Sequence, residues 1–174
     1  PVVDLGARPV LADYRTSKYE NSDLVAVSPD AGRVRLADMW TDKIGCQLAI
    51  IHKRRDPNKA NETTTHEVVG EVEGKTCLLV DDMVDTAGTM CQAALALKKH
   101  GAKRVIAAAT HPILSDPAAE RINNSPIEEL IVTNTLKIRD DIDIPAMTLL
   151  SIAPLIAKAI QEVFEDGSVT SLFR

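Results

Sequence analysis

Residues 77–89 read CLLVDDMVDTAGT. The run has three parts: an apolar stretch, Cys77-Leu78-Leu79-Val80; two adjacent acids, Asp81 and Asp82; and a turn of small and polar residues, Asp85-Thr86-Ala87-Gly88-Thr89. A short apolar run bounded by turn residues is the pattern of a strand buried on both faces. Residues 89–100, rich in Ala and Leu, end in Lys98-Lys99-His100 before Gly101, which predicts a helix whose last turn carries positive charge at the negative end of its dipole. A strand, a small-residue turn and a helix together let backbone N–H groups approach a phosphate closely, with the helix N-terminus adding favourable partial charge. Thr86 and Thr89 add hydroxyl donors. Asp81 and Asp82 lie too close to such a nest to bind phosphate themselves; adjacent carboxylates suit sugar hydroxyls, or a magnesium ion shared with them. Asp and Thr also cap helices, so residue types alone leave a purely structural role open.

The same alternation extends in both directions. Apolar runs at 24–27, 48–51, 76–80, 105–109, 129–133 and 148–151 predict strands. Between the first two, Val34, Leu36, Met39, Trp40 and Ile44 recur at helical steps, with Gly45 placed to end the helix. A short helix is predicted at 117–123. Another is predicted from about 154 to 166, with Pro154 in its first turn and Gly167 just past its end. Strands alternating with helices of this length imply an α/β fold: a parallel sheet with helices on both faces, in which ligands sit beyond the carboxyl ends of the strands.

Two further runs fall at strand ends. Ser28-Pro29-Asp30-Ala31-Gly32-Arg33 is a compact turn opening a helix. Asp30 could hold a metal and Ala31, Gly32 and Arg33 could receive a diphosphate, or Asp30 could simply cap the turn. Lys53-Arg54-Arg55 follows the strand expected to end at His52 and precedes DPNKANETTT, residues 56–65, a polar stretch unable to bury a face. Three cations there are either a solvated patch or a loop able to close on phosphates. Ala109-Thr110-His111 and Thr133-Asn134-Thr135 close two other strands.

Composition narrows the classes. With 174 residues, 45% hydrophobic and 26% charged, the chain is long enough for one well-buried domain. Aromatics make up 3%, so the core must be aliphatic, which suits a buried parallel sheet. A net charge of −5, with no heavily basic face and few aromatics to stack on bases, argues against nucleic acid. No apolar run is long enough to span a membrane. Cys46, Cys77 and Cys91 show neither zinc spacing nor a paired count, and fit reduced thiols in the cytoplasm.

Residues 77–89 resemble the thirteen-residue phosphoribosyl diphosphate (PRPP) signature of the type I phosphoribosyltransferase fold, with Ala87 where Gly is common. The SPDAG and KRR runs, together with the ending Ser168-Val169-Thr170-Ser171-Leu172-Phe173, make the whole chain resemble the carboxyl-terminal half of the ribose-phosphate diphosphokinases. That resemblance implies a single phosphoribosyltransferase-like domain over residues 1–174, cut from a two-domain enzyme, as the start at Pro1 also suggests. It implies transfer of the diphosphoryl group of ATP to ribose 5-phosphate, giving PRPP and AMP. Asp81, Asp82, Asp85, Thr86, Ala87, Gly88 and Thr89 would bind ribose 5-phosphate. Asp30 to Arg33 would take the diphosphate, with Asp30 on Mg2+. Lys53 and Arg55 would act in a flexible catalytic loop over 53–65. ATP would be held mostly by an amino-terminal half, and Ser168, Val169, Thr170 and Phe173 would belong to a regulatory site in a homo-oligomer. A salvage phosphoribosyltransferase would share the signature but lack the SPDAG and KRR runs. A catalytically silent associated subunit would not need Asp30, Lys53, Arg55, Asp81 and Asp82 together.

Overall fold

A computed structural model of the chain describes residues 5–18, 23–54 and 65–173. The strands are β1 (Leu24–Ser28), β2 (Gln47–Arg54), β3 (Thr65–Val69), β4 (Thr76–Val84), β5 (Arg104–Pro112), β6 (Glu129–Thr133) and β7 (Met147–Leu150). The helices are α1 (Arg8–Lys18), α2 (Val34–Ile44), α3 (Gly88–Lys99), α4 (Ala118–Asn123) and α5 (Ala153–Phe164), with short 3-10 turns at Ala31–Arg33 and Val169–Phe173. One sheet runs in the order β3-β2-β1-β4-β5-β6-β7.

Period-2 alternation in the central strands divides the core into two layers. Val25, Val27, Cys77, Leu79, Val105, Ala107, Leu130 and Val132 pack with α3 and α4 residues such as Ala94, Leu97 and Ile122. Their neighbours Leu24, Ala26, Leu78, Val80, Ile106, Ala108 and Ile131 pack with Leu11 and Ala12 of α1 and with Ala37, Trp40 and Ile44 of α2. Both faces are therefore covered, and this is why these strands read as unbroken apolar runs. Gly45 ends α2 with φ +70 and returns its N–H to the Thr41 carbonyl at 2.8 Å, as the sequence pattern required. No helix among the described residues is long and apolar enough to cross a membrane.

Several elements depart from the sequence reading. β2 continues through Lys53 and Arg54 instead of ending at His52, because β3 pairs with it antiparallel, Lys53 opposite His66 and Arg54 opposite Thr65. Lys53, Arg54 and Thr65 thus lie in strands and not in the expected 53–65 loop; Arg55 and residues 56–64 lie outside the described residues. β4 runs to Val84, four residues past its apolar stretch, since β5 pairs beside it as far as Val84 opposite Pro112. Asp81 and Asp82 are therefore strand residues. Helix α1 was not anticipated. Beyond Leu11 and Ala12, it is tied to the sheet by the buried Glu129, whose Oε1 accepts from Tyr14 Oη at 2.9 Å, Lys18 Nζ at 2.7 Å and Thr148 Oγ1 at 2.7 Å. A buried carboxylate is tolerated when it is satisfied in this way.

Candidate active site

The strand order reverses at β1. The chain passes from β1 outward to β2 and β3, then returns to the other side of β1 as β4. The carboxyl ends of β1 and β4 flank this switch point, where open α/β sheets open a ligand crevice. The SPDAGR turn follows β1, and the acids and small-residue turn end β4, so sheet order brings together runs about fifty residues apart.

After β4 the turn enters α3 through Ala87, whose φ of +58 and ψ of +6 are left-handed. A left-handed residue before a helix creates a concavity of N–H groups. Residues 83–90, with Asp81, line a cup of about 160 Å3. Ala accepts that conformation at a cost of roughly 1–2 kcal/mol relative to right-handed backbone, so the substitution for Gly has not removed the turn.

Asp30 caps the 3-10 turn after β1: its Oδ1 accepts from the Gly32 N–H at 2.8 Å, while Ser28 Oγ donates to the Asp30 carbonyl at 2.6 Å. The capping role left open by the sequence is present, and it occupies one carboxylate oxygen. Arg33 reaches across to β4. Its Nε lies 3.3 Å from Asp81 Oδ1 and its Nη1 lies 2.9 Å from Asp82 Oδ2. This pairing of Arg33 with the acids was not legible in the sequence. The Asp82 N–H donates to Asp81 Oδ1 at 2.8 Å. Asp82 Oδ1 is buried with no hydrogen-bond partner among the described residues. An orphaned buried carboxylate oxygen is costly and marks a place for a ligand hydroxyl or cation.

Burial pushes the Asp81 carboxyl up from 3.8 to about 6; the adjacent Asp82 carboxyl adds to the effect and Arg33 opposes it. The folded chain therefore holds this proton more tightly than the unfolded chain does. Stability falls as pH rises from about 4 to about 6, and the full cost persists above that window. The gap between 3.8 and about 6 corresponds to at most about 3 kcal/mol. Asp81→Asn is expected to be more stable than the parent chain by about 1–3 kcal/mol at pH 8. That advantage should shrink towards pH 4. Urea unfolding of both proteins across this range checks it; a pH-independent difference would show that Asp81 titrates normally.

The remaining expected residues are placed as follows. His111 Nδ1 and Thr135 Oγ1 are 2.9 Å apart, and the Thr133 and Thr135 hydroxyls both donate to the Thr110 carbonyl, at 2.7 and 3.1 Å. These contacts clasp the carboxyl ends of β5 and β6. Ser168 Oγ and Thr170 Oγ1 are 2.8 Å apart, and the 3-10 turn that begins at Val169 packs against α5. Nothing from this tail lines the cup; the side chain of Phe173 lies outside the described part. The side chain of Lys53 and all of Arg55 also lie outside it. Sequence reasoning missed Arg121. Its Nη1 donates to the Thr86 carbonyl at 2.9 Å from α4, a helix the sequence predicted without any sign that one of its side chains would reach the turn.

Residues 57–174 match the family model described as the phosphoribosyl synthetase-associated domain. A ribose-phosphate pyrophosphokinase of Streptomyces coelicolor is 58% identical over 99% of this chain and 53% of its own length. The enzyme of that name from Mycobacterium tuberculosis is 50% identical over 99% of this chain, again 53% of its own length. Among solved structures, phosphoribosylpyrophosphate synthetase from Mycobacterium smegmatis matches with a TM-score of 0.82 at 49% identity, covering 92% of this chain and 51% of that one. The chain spans about half the length of the curated relatives it matches.

Proposed function

Because the chain belongs to the phosphoribosyl synthetase-associated domain family, we propose that it supplies the ribose 5-phosphate and diphosphate sites of a ribose-phosphate diphosphokinase, which makes PRPP and AMP from ATP and ribose 5-phosphate. The observation that carries this reading is the left-handed turn at Ala87 opening α3 directly beside two carboxylates at the sheet's switch point. A phosphate nest next to sugar-hydroxyl acceptors is the complement of a sugar phosphate.

In this reading the N–H groups and hydroxyls of residues 85–89 anchor the 5-phosphate. Asp81 and Asp82 accept hydrogen bonds from the ribose hydroxyls and hold the anomeric hydroxyl towards the β-phosphorus of ATP. Its oxygen forms the new bond as the bond to the α-phosphate oxygen breaks; AMP leaves and the hydroxyl proton is lost. The turn 30–33 cradles the diphosphoryl group, and Lys53 with Arg55 meets its charge. Catalysis in such transfers is alignment and charge stabilisation, with little covalent work for the protein.

Magnesium would neutralise charge on the diphosphate. Among the described residues no three His, Cys, Asp or Glu side chains are grouped to hold a metal. Mg2+ at phosphate sites commonly takes only one or two carboxylates and keeps its remaining positions for water and phosphate oxygens. Asp30, with one oxygen used as a cap, and the orphaned oxygen of Asp82 fit that sparse, all-oxygen requirement. A homo-oligomer belongs to the same reading. Ile160, Val163 and Phe164 on α5 are 53%, 66% and 85% exposed and form the apolar surface such an assembly would cover. The unbonded thiols at Cys46, Cys77 and Cys91 suit a reducing cytoplasm.

Isothermal calorimetry with ribose 5-phosphate tests the reading on this chain. Saturable binding is expected. Asp85→Ala, by altering the turn that on this reading aims N–H groups at the phosphate, should weaken it on the order of tenfold, roughly 1.4 kcal/mol. Absence of binding by the parent chain, or unchanged binding in the variant, would contradict the assignment of the 85–89 turn.

A further inference from the structure

We propose that Arg121 is a positioning residue for the phosphate turn: it holds the Thr86–Ala87 peptide in the orientation that points the Ala87 N–H at the anion. The inference rests on the sugar-phosphate reading of the cup and adds to it a residue that makes no contact with the ligand.

Arg121 lies behind the turn. It borders a separate cavity of about 450 Å3 between α3 and α4, and it is not among the residues lining the cup. Gly88 borders both spaces, so the turn is a thin wall between them. From the outer side the Arg121 guanidinium donates to the Thr86 carbonyl at 2.9 Å. The Thr86–Ala87 peptide is trans; among the described residues the cis bond is Asp116–Pro117. In a trans peptide the C=O and the following N–H point in opposite directions. Pinning the carbonyl outward therefore aims the Ala87 N–H inward.

Ala87 gives this contact its importance. Its φ of +58 is unfavourable for a residue with a Cβ. Rotating the Thr86–Ala87 peptide by half a turn would carry φ into the ordinary negative region and relieve that strain. The same rotation would put a carbonyl oxygen where the phosphate sits, and like partial charges repel. Arg121 opposes the rotation through a charge-assisted hydrogen bond. The guanidinium also lies close to Gly88, where a Cβ would be 3.2 Å from Arg121 Nη1 and 3.9 Å from Cζ. Arg121 is held at this distance because its helix is anchored by the buried Ala118 and Ile122 under α3.

This mechanism predicts a specific rescue. With Gly at position 87 the two peptide orientations are nearly equal in energy, so Arg121 matters less. The test uses the chain itself, titrated with ribose 5-phosphate by calorimetry, with amide NMR of the ligand-free proteins alongside. Arg121→Ala should weaken binding about tenfold, equivalent to roughly 1.4 kcal/mol. Since Arg121 is exposed, the thermal midpoint should barely move. The double variant Ala87→Gly/Arg121→Ala should recover most of the affinity. In free Arg121→Ala the Ala87 and Gly88 amide signals should broaden or split as the peptide exchanges between orientations. Failure of Ala87→Gly to rescue would mean that Arg121 acts by charge alone and would overturn the proposal. Unchanged affinity with sharp single turn resonances in Arg121→Ala would do so as well. Should the parent chain not bind ribose 5-phosphate at all, the sugar-phosphate reading falls, while the NMR comparison still decides what Arg121 does to the turn.

Discussion

Lys53→Ala, placed in a diphosphokinase assembled around this chain, is expected to lower kcat by roughly a hundredfold or more while leaving KM for ribose 5-phosphate nearly unchanged. The same is expected of Arg55→Ala. Lys53 is the last residue but one of β2, which lies between β3 and β1 and is separated by β1 from β4, whose end carries the cup. Its strand neighbours β1, whose carboxyl end carries the 30–33 turn. On the proposed reading, a cation from this side would meet the diphosphoryl group, where negative charge redistributes during transfer, and not the sugar. Groups that interact more strongly with the transition state than with the ground state change kcat and leave substrate binding alone. Steady-state kinetics on the purified variants separates the two. A strong rise in KM with kcat intact would make Lys53 a sugar-phosphate clamp instead.

Gly70→Ala should be the most damaging single-methyl change to the fold. Gly70 ends β3 with φ +119, a conformation that residues with a Cβ rarely adopt. A Cβ there would lie 2.9 Å from Ala49 Cβ, 2.9 Å from the Leu48 carbonyl oxygen and 3.0 Å from Ala49 Cα. Two of these are backbone atoms of β2, which is locked in register on its other side by β1. The clash cannot be relieved by a rotamer change, so strand β3 would have to lift from β2. Backbone strain and lost pairing together should cost about 3 kcal/mol or more. For a chain of this size the thermal midpoint should drop on the order of 10 °C. Scanning calorimetry provides the check, and a midpoint within a degree of the parent's would show that β3 does not pack on β2 in this register. Because β3 is the partner that extends β2 through Lys53 and Arg54, the substitution should also depress turnover of the assembled enzyme.

Asp81→Asn and Asp85→Ala move in opposite directions. Replacing Asp81, a half-buried carboxyl beside another, is expected to stabilise the fold at neutral pH, whereas replacing Asp85 in the proposed phosphate turn is expected to weaken binding. Residues kept at the expense of stability are what a site, and not a core, contains.

The α/β class, the parallel part of the sheet and the covered faces were legible in the amino-acid sequence because the middle of a strand buried on both sides must be apolar at every position; the antiparallel β3 was not. The runs at 24–27, 77–80, 105–109 and 130–132 meet that condition. The helix ends at Gly45 and Gly101 were legible because few residues other than glycine take the left-handed backbone they require, with φ of +70 and +85. The small-residue turn at 85–89 was legible for a related reason, since close approach of a backbone to an anion restricts side-chain size. Other features had no local signal. Helix α1 is short of apolar residues and buries Arg15, so its amphipathic pattern is faint. β4 reaches Val84 only because β5 lies beside it, and β2 reaches Arg54 only because β3 does. The pairing of Arg33 with Asp81 and Asp82, and the reach of Arg121 to Thr86, join positions far apart in the chain. Strand order and helix placement bring them within hydrogen-bonding distance. Periodicity reports which face of an element is buried; it carries no information about which polar side chain meets which across a crevice, because that depends on the sum of all the packing between them.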